Sequence, residues 1–408
     1  VTQFFDALET DAPDTRAARL YGQLPGLITA AKAKAPAFAR ALAGVEAGVV
    51  TDAAALARLP LIRKSDLIAA QAADLPFAGL VTRPAGQLKR IFASPGPIYD
   101  PEGERPDWWR FARALHAAGF RAGEIVHNCF AYHFTPAGSM IETGAHALGC
   151  AVFPGGVGNT ELQVRAIADL KPAGYGGTPS FLKIILEKAA ELGTPLPSLK
   201  KALVSGEALP PTLRGWFAER GVAVLQCYAT ADLGLIAYES APDGGLILDE
   251  QVIVEIVRPG TGDPVPAGEV GEVVVTSFNA DYPLTRFATG DLSAFLPGQS
   301  ACGRTGLRLK GWLGRADQTA KIKGMFVHPA QVAEVLKRHG LAKGRLTVEK
   351  DGDIDMAILT VETADPSLSG AVTETFQALC KLRASVLTIA PGSLPNDGKV
   401  IDDQRPVG

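Results

Sequence analysis

Two short runs carry the residue types most suited to chemistry. Asp291 sits in Arg286-Phe287-Ala288-Thr289-Gly290-Asp291-Leu292, at the end of a β-rich stretch, and Arg315 lies in Gly314-Arg315-Ala316-Asp317, where the pattern of the chain changes. A carboxylate that accepts and a guanidinium that donates, one on each side of a domain joint, suit a sugar's hydroxyls and can sense domain movement. The same residues also make an ordinary turn aspartate and a joint salt bridge. Two lysines follow, Lys321 just beyond that joint and Lys399 after Gly398 in a polar tail. A tail lysine is ordinarily a solvated charge, but it can also serve as a point charge for an anion.

Those side chains need a scaffold. With 408 residues, 47% hydrophobic and 20% charged, the chain suits an ordinary globular protein of two or more domains. A net charge of −3 argues against nucleic acid or an anionic membrane as partner. Cys129, Cys150, Cys227, Cys302 and Cys380 are scattered without a C-x-x-C pair, which fits reduced thiols in a cytoplasm. The acidic start (Asp6, Glu9, Asp11, Asp14) has no signal-peptide pattern, and no apolar run reaches the length of a membrane span. A cytoplasmic location is the expectation.

Residues 1–88 read as Ala-rich helices with loops, with 59–67 a proline-marked loop entering a short helix and Ser65 its N-cap. Residues 94–101 carry so many prolines that they read as loop. From there strands near 124–130, 151–153, 202–205 and 222–228 alternate with helices near 107–118, 136–148, 161–170, 179–192 and 210–220. That alternation predicts an α/β fold with a parallel sheet. Ligands then sit beyond the carboxyl ends of its strands, near 94–101, 132–138, 176–179, 205–208 and 228–233. Residues 246–296 switch to strand and turn chemistry, as an antiparallel meander or small barrel. The chain after Gly314 reads as a compact α+β domain. The division expected is 1–313, with a β-rich part at about 246–313, and 314–408.

The motifs resemble, in order, those of the adenylate-forming (acyl-CoA synthetase) superfamily, and within it the phenylacetate–CoA ligase branch. They are LPLIRKSDL near residue 60, LVSGEALP at 203–210, QCYATADLG at 226–234, GEVGEVVVTSF at 268–278, LTRFATGDL at 284–292, GRADQTAKIKGMFVHPAQVAEVL at 314–336 and LPNDGKVID at 394–402. The resemblance covers nearly the whole chain. It implies a large nucleotide- and acid-binding domain, a small mobile C-terminal lid, and a two-step reaction. ATP with Mg²⁺ first converts a carboxylic acid to an acyl-adenylate, and coenzyme A then takes the acyl group. Binding of nucleotide without turnover, or passage of the acyl group to another acceptor, is the alternative.

Residue by residue, the resemblance implies that Tyr228 stacks on adenine beside Gly206 and Glu207, although a core tyrosine at a strand end is the blander reading. It implies that Asp291 and Arg315 bind the ribose hydroxyls and that Asp317 is the hinge. Lys399 would act in adenylation and Lys321 in thioester formation. Asp232 would hold Mg²⁺ with a side chain one methylene shorter than the family's usual glutamate, or else would be an N-cap. Ala231 falls where a hydroxyl residue is usual. Ser94 and Gly96 belong to the stretch matching the phosphate loop, where prolines remove N–H donors and Asp100 adds a repelling charge.

Tyr132, His133, Phe134 and Gly176 would line the acid pocket, whose aromatic walls suit an aryl or small hydrophobic acid. The single thiol of Ser300-Ala301-Cys302-Gly303, with Ser240 and Ile247 at other zinc positions of some relatives, leads to an expectation of no zinc. A homodimer is a further expectation.

Overall fold

A computed structural model describes residues 3–258, 261–313, 315–316, 318, 320–323, 325–327, 329–351, 354–395 and 399–405. The expectations for Asp317 and Gly398 therefore lie outside the described residues, as does the side chain of Lys321.

The fold is α/β. Its main sheet has nine strands, and five of them, Ala223–Thr230, Lys201–Val204, Gly174–Gly177, Ile125–Asn128 and Ala151–Pro154, run parallel in that spatial order. Helices supply the crossovers. Pro179–Glu191 shows why such a stretch is helical: Thr178 caps it by accepting from Phe181 N at 3.4 Å, and Pro179 occupies the first turn. Its buried Leu182, Ile185 and Ala189 form one apolar stripe against the sheet.

Two elements depart from the sequence expectation in this half. Gly174–Gly177 is the middle one of the five parallel strands, although glycine-rich segments usually read as turns. Close packing explains it, because a Cβ on Gly174 would lie 2.6 Å from the Phe120 ring and one on Gly176 would lie 2.9 Å from Ile141 Cγ2. Residues 94–101 are not loop. Arg90–Ser94 and Ile98–Glu102 form an antiparallel hairpin that turns through Pro95-Gly96-Pro97. Two strands have no central position, so Pro101 costs no essential ladder bond, and the other prolines fall in the turn.

The expected β-rich meander is divided. Leu246–Leu248 pairs with Gly234–Tyr238 and extends the main sheet, while Val252–Val257, Gly271–Ser277, Phe287–Ser293 and Ile62–Arg63 make a separate four-stranded sheet. Arg286 anchors that sheet. Its guanidinium is buried against Glu255 at 3.0 Å and donates to the carbonyls of Ala57, Leu59 and Gly262 at 2.6, 2.7 and 2.8 Å. Ser65 is not the N-cap of Lys64–Ala73; Arg63 precedes that helix, and the Ser65 hydroxyl meets Asp66 instead.

The chain separates into two compact units, Val1–Thr289 with Ser293–Trp312 and Gly290–Leu292 with Leu313–Val407. In the second, the strands Ser385–Ile389, Ile354–Glu362, Gly344–Asp351 and Ile401–Asp403 form one sheet in that order. The helices Pro329–Arg338 and Ser369–Cys380 cover its core of Val332, Val335, Leu346, Leu359 and Phe376. The polar tail thus supplies a strand, Ile401–Asp403, parallel to Gly344–Asp351. Among the described residues no helix is long and apolar enough to cross a membrane.

Candidate active site

In the first unit the carboxyl ends of neighbouring parallel strands bring Gly206, Glu207 and Tyr228 together. Lys201–Val204 pairs with Ala223–Thr230, with Val204 opposite Gln226. Gly206, at φ +81°, turns the chain just beyond the first strand, and the exposed Glu207 accepts from Ser180 N at 3.3 Å. The Ser205 hydroxyl ties this turn to the Cys227 carbonyl at 2.9 Å. At Tyr228 the pairing with the next strand slips by a residue. Such an irregularity re-aims a side chain, and here it leaves the ring half-buried, its hydroxyl donating to Thr289 Oγ1 at 3.2 Å. Thr289 in turn donates to Val273 O at 3.0 Å.

Asp232 opens no helix; it lies in the turn joining Ala223–Thr230 to Gly234–Tyr238. Its side chain is fully buried and ion-paired through Oδ2 with Lys64 Nζ. Asp100, on the second strand of the hairpin, is buried as well. Burial first, and then the charge of Asp232, raise its carboxyl to about 8 against the opposing pull of Lys64, so it is largely protonated at neutral pH. The charge that the sequence places in the phosphate loop as a repelling anion is therefore withdrawn into the interior and largely neutral.

The hairpin's other groups are also occupied. The buried Ser94 hydroxyl donates to its own hairpin at Ile98 O, 3.4 Å away, and a Cβ on Gly96 would meet Ile98 Cγ1 at 2.9 Å. The outer side of the hairpin borders an open pocket of about 640 Å³, lined chiefly by Ile91, Phe92, Pro95, Pro97, Tyr99 and Phe134.

The expected acid-pocket residues divide. Phe134 (75% exposed, φ +63°) faces the hairpin pocket, and His133 is exposed. Tyr132 is held by Asn128, whose amide donates to its hydroxyl at 2.7 Å and to Gly138 O at 2.9 Å. Gly176 is buried in the middle parallel strand beneath Ile141.

In the second unit Asp291 and Arg315 meet, with Nη1 to Oδ1 at 3.0 Å and an antiparallel backbone bridge between the two residues. Gln318 has no role on sequence grounds, yet its Oε1 accepts from Val400 N at 2.6 Å and Ile401 N at 3.0 Å, next to Lys399. The Lys399 ammonium is half-exposed and donates to Asp402 Oδ1 at 2.9 Å.

The model of the AMP-binding enzyme family matches residues 109–280. The phenylacetate-coenzyme A ligase of Thermus thermophilus is 31% identical over 84% of this chain and 80% of its own length. The chain belongs to the phenylacetate–CoA ligase family. The Escherichia coli K12 member is 28% identical over 97% of this chain and 95% of its own. A solved structure of 2-hydroxyisobutyryl-CoA ligase in complex with 2-HIB-AMP and CoA has the same fold, with a TM-score of 0.79, 24% identity, and coverage of 100% of this chain and 93% of that one.

Two groups associated with this family can be tested against the residues present. Magnesium needs exposed oxygen ligands and keeps several waters, whereas Asp232 is buried and paired with Lys64, so these residues do not suit the ion. Zinc would need several thiolate or imidazole donors. Around Cys302 Sγ stand the hydroxyls of Ser300 and Ser240 at 3.0 and 3.1 Å and Arg304 Nη1 at 3.6 Å, and Ile247 is a core residue. Burial alone would raise this thiol, but those hydrogen bonds outweigh it and bring it down to about 7.

Proposed function

We propose that this phenylacetate–CoA ligase family member is an AMP-forming acid–CoA ligase that activates an aromatic or other small hydrophobic acid and transfers it to coenzyme A. The observation that carries this reading is the re-aimed, half-buried Tyr228 at the carboxyl end of its strand, beside the Gly206 turn. In this reading its ring stacks on adenine, and Asp291 with Arg315 takes the ribose hydroxyls. A carboxylate is a poor electrophile, and adenylation gives it a good leaving group. The protein's task is then to hold both reactants and offset phosphate charge.

Lys399, beside the Val400 and Ile401 N–H groups that Gln318 holds, is the cation assigned to adenylation, and Lys321 is assigned to thioester formation. Mg²⁺ is proposed as the companion of ATP. Tyr132, His133, Phe134 and Gly176 are proposed to border the acid. The five free cysteines favour a reducing cytoplasm.

Exchange of labelled pyrophosphate into ATP, screened across aromatic and small hydrophobic acids, tests the reading. Acid-dependent exchange followed by CoA-dependent AMP release is the expected result. The proline-rich hairpin favours a second reading, nucleotide binding without turnover. Tight AMP binding with no exchange across the whole screen selects it, and exchange with transfer to an acceptor other than CoA identifies a third outcome.

A further inference from the structure

A buried charge cluster lies beneath the hairpin, and the proposed reaction does not use it. Strand Ile62–Arg63 runs parallel to Phe287–Ser293, with Ile62 beside Phe287 and Arg63 beside Ala288. The chain therefore delivers Lys64 alongside Thr289, the residue that receives the Tyr228 hydroxyl. From there the Lys64 ammonium reaches Asp232 Oδ2. Asp232 Oδ1 is buried without a hydrogen-bond partner among the described residues, and so is the hydroxyl of Tyr282, which senses the charges of both Asp232 and Asp100. Asp100 is buried in the same cluster. One cation thus serves two buried carboxyls, and Asp232 is the one it pairs with.

We propose that Lys64 stands on Asp232 in place of a divalent ion, as the built-in cation of the nucleotide site. The inference rests on the nucleotide-site reading of Tyr228. A carboxylate recruits a divalent ion when its charge is unmet and its oxygens can join a hydrated octahedral shell. Lys64 meets the charge of Asp232, and burial of the side chain denies the shell its waters. Removing the ammonium together with its long stem leaves the carboxylate uncompensated and opens space that water and a divalent ion can enter. An ion that arrives on ATP stays on the phosphates, and Asp232 does not hold it.

The test is titration of the full-length chain with Mn²⁺, read by the loss of its free-ion electron paramagnetic resonance signal, with and without saturating AMP. Wild type and Asp232→Asn are expected to give the same curve. Lys64→Ala, which frees the volume of the lysine stem for water, is expected to gain a site at least about tenfold tighter, which Mg²⁺ displaces and which the Lys64→Ala/Asp232→Asn double variant loses. Lys64→Arg should behave as wild type. A wild-type Mn²⁺ site that Asp232→Asn abolishes overturns the proposal, as does a folded Lys64→Ala that matches wild type. If Lys64→Ala does not fold, the wild-type and Asp232→Asn comparison decides. Calorimetry with AMP in EDTA separates the two readings: absence of AMP binding sinks the nucleotide site, while the Mn²⁺ curves without AMP still judge Lys64.

Discussion

Arg315 and Asp291 are joined twice, by an ion pair of 3.0 Å and by a backbone β-bridge. The bridge fixes where both side chains start, so the two groups meet with little freedom left to lose. In their proposed role a ribose would find an acceptor and a donor fork already oriented.

Asp291→Ala or Arg315→Ala is therefore expected to weaken AMP binding by roughly tenfold to a hundredfold, the range for losing a charge-assisted hydrogen bond. Adenine alone should bind both variants as it binds wild type. Calorimetry with AMP, adenosine and adenine measures this, and an equal loss for all three would move the pair to a purely structural role.

Lys399→Ala is expected to lower pyrophosphate exchange by about a hundredfold while changing AMP affinity less than about threefold, because in its proposed role this exposed lysine acts on charge that develops during the reaction. Equal loss of both would remove Lys399 from adenylation.

Gln318→Ala removes the acceptor for two successive backbone N–H groups beside Lys399. At about 1 kcal/mol per bond, exchange should fall by roughly thirtyfold with AMP affinity unchanged. Gln318→Glu keeps an acceptor oxygen and should restore most of the rate, whereas a residue that only stabilises the fold would show the loss as a lower melting temperature.

Asp100 gives a pH dependence of defined sign. Its carboxyl is raised from 3.8 to about 8 in the fold, by burial first and by the Asp232 charge second. The folded state therefore keeps a proton that the unfolded state releases. Its contribution to stability is full below about pH 4 and is lost as pH climbs through about 8. Asp100→Asn carries no such loss. Its melting temperature should exceed that of wild type by a margin that widens from pH 5 to pH 8 and is flat above; a constant margin would place the ionisation elsewhere.

Cys302 should be the first thiol alkylated. It is partly exposed and its thiol lies near 7. Burial raises Cys227 to about 12 and Cys380 to about 11, and also raises Cys129 and Cys150. Peptide mapping after brief iodoacetamide treatment at pH 7.5 checks the order, and modification of Cys129 or Cys227 in the folded chain ahead of Cys302 would contradict it.

Much of this protein was legible from local pattern. Apolar spacing marks Pro179–Glu191 as helix, because it buries one face and its period is written in consecutive residues. The sequence motifs also place Asp291 and Arg315 near a joint. They do not reveal that Gly174–Gly177 is the middle parallel strand, since its reason is the Phe120 ring and Ile141 packed over it. Nor do they reveal the hairpin at Arg90–Glu102, whose prolines are harmless only because the sheet ends at two strands.

By itself, then, the sequence determines the α/β class, the helices and strands whose period is local, and the set of groups available for chemistry, all of which depend on neighbours along the chain. The state of those groups was decided by tertiary structure. Lys64, Asp100 and Asp232 are far apart in sequence, and only folding buries two carboxyls around one ammonium. Burial sets the cost of each charge and proximity sets which is repaid. That is why one aspartate is paired with the ammonium while the other keeps its proton.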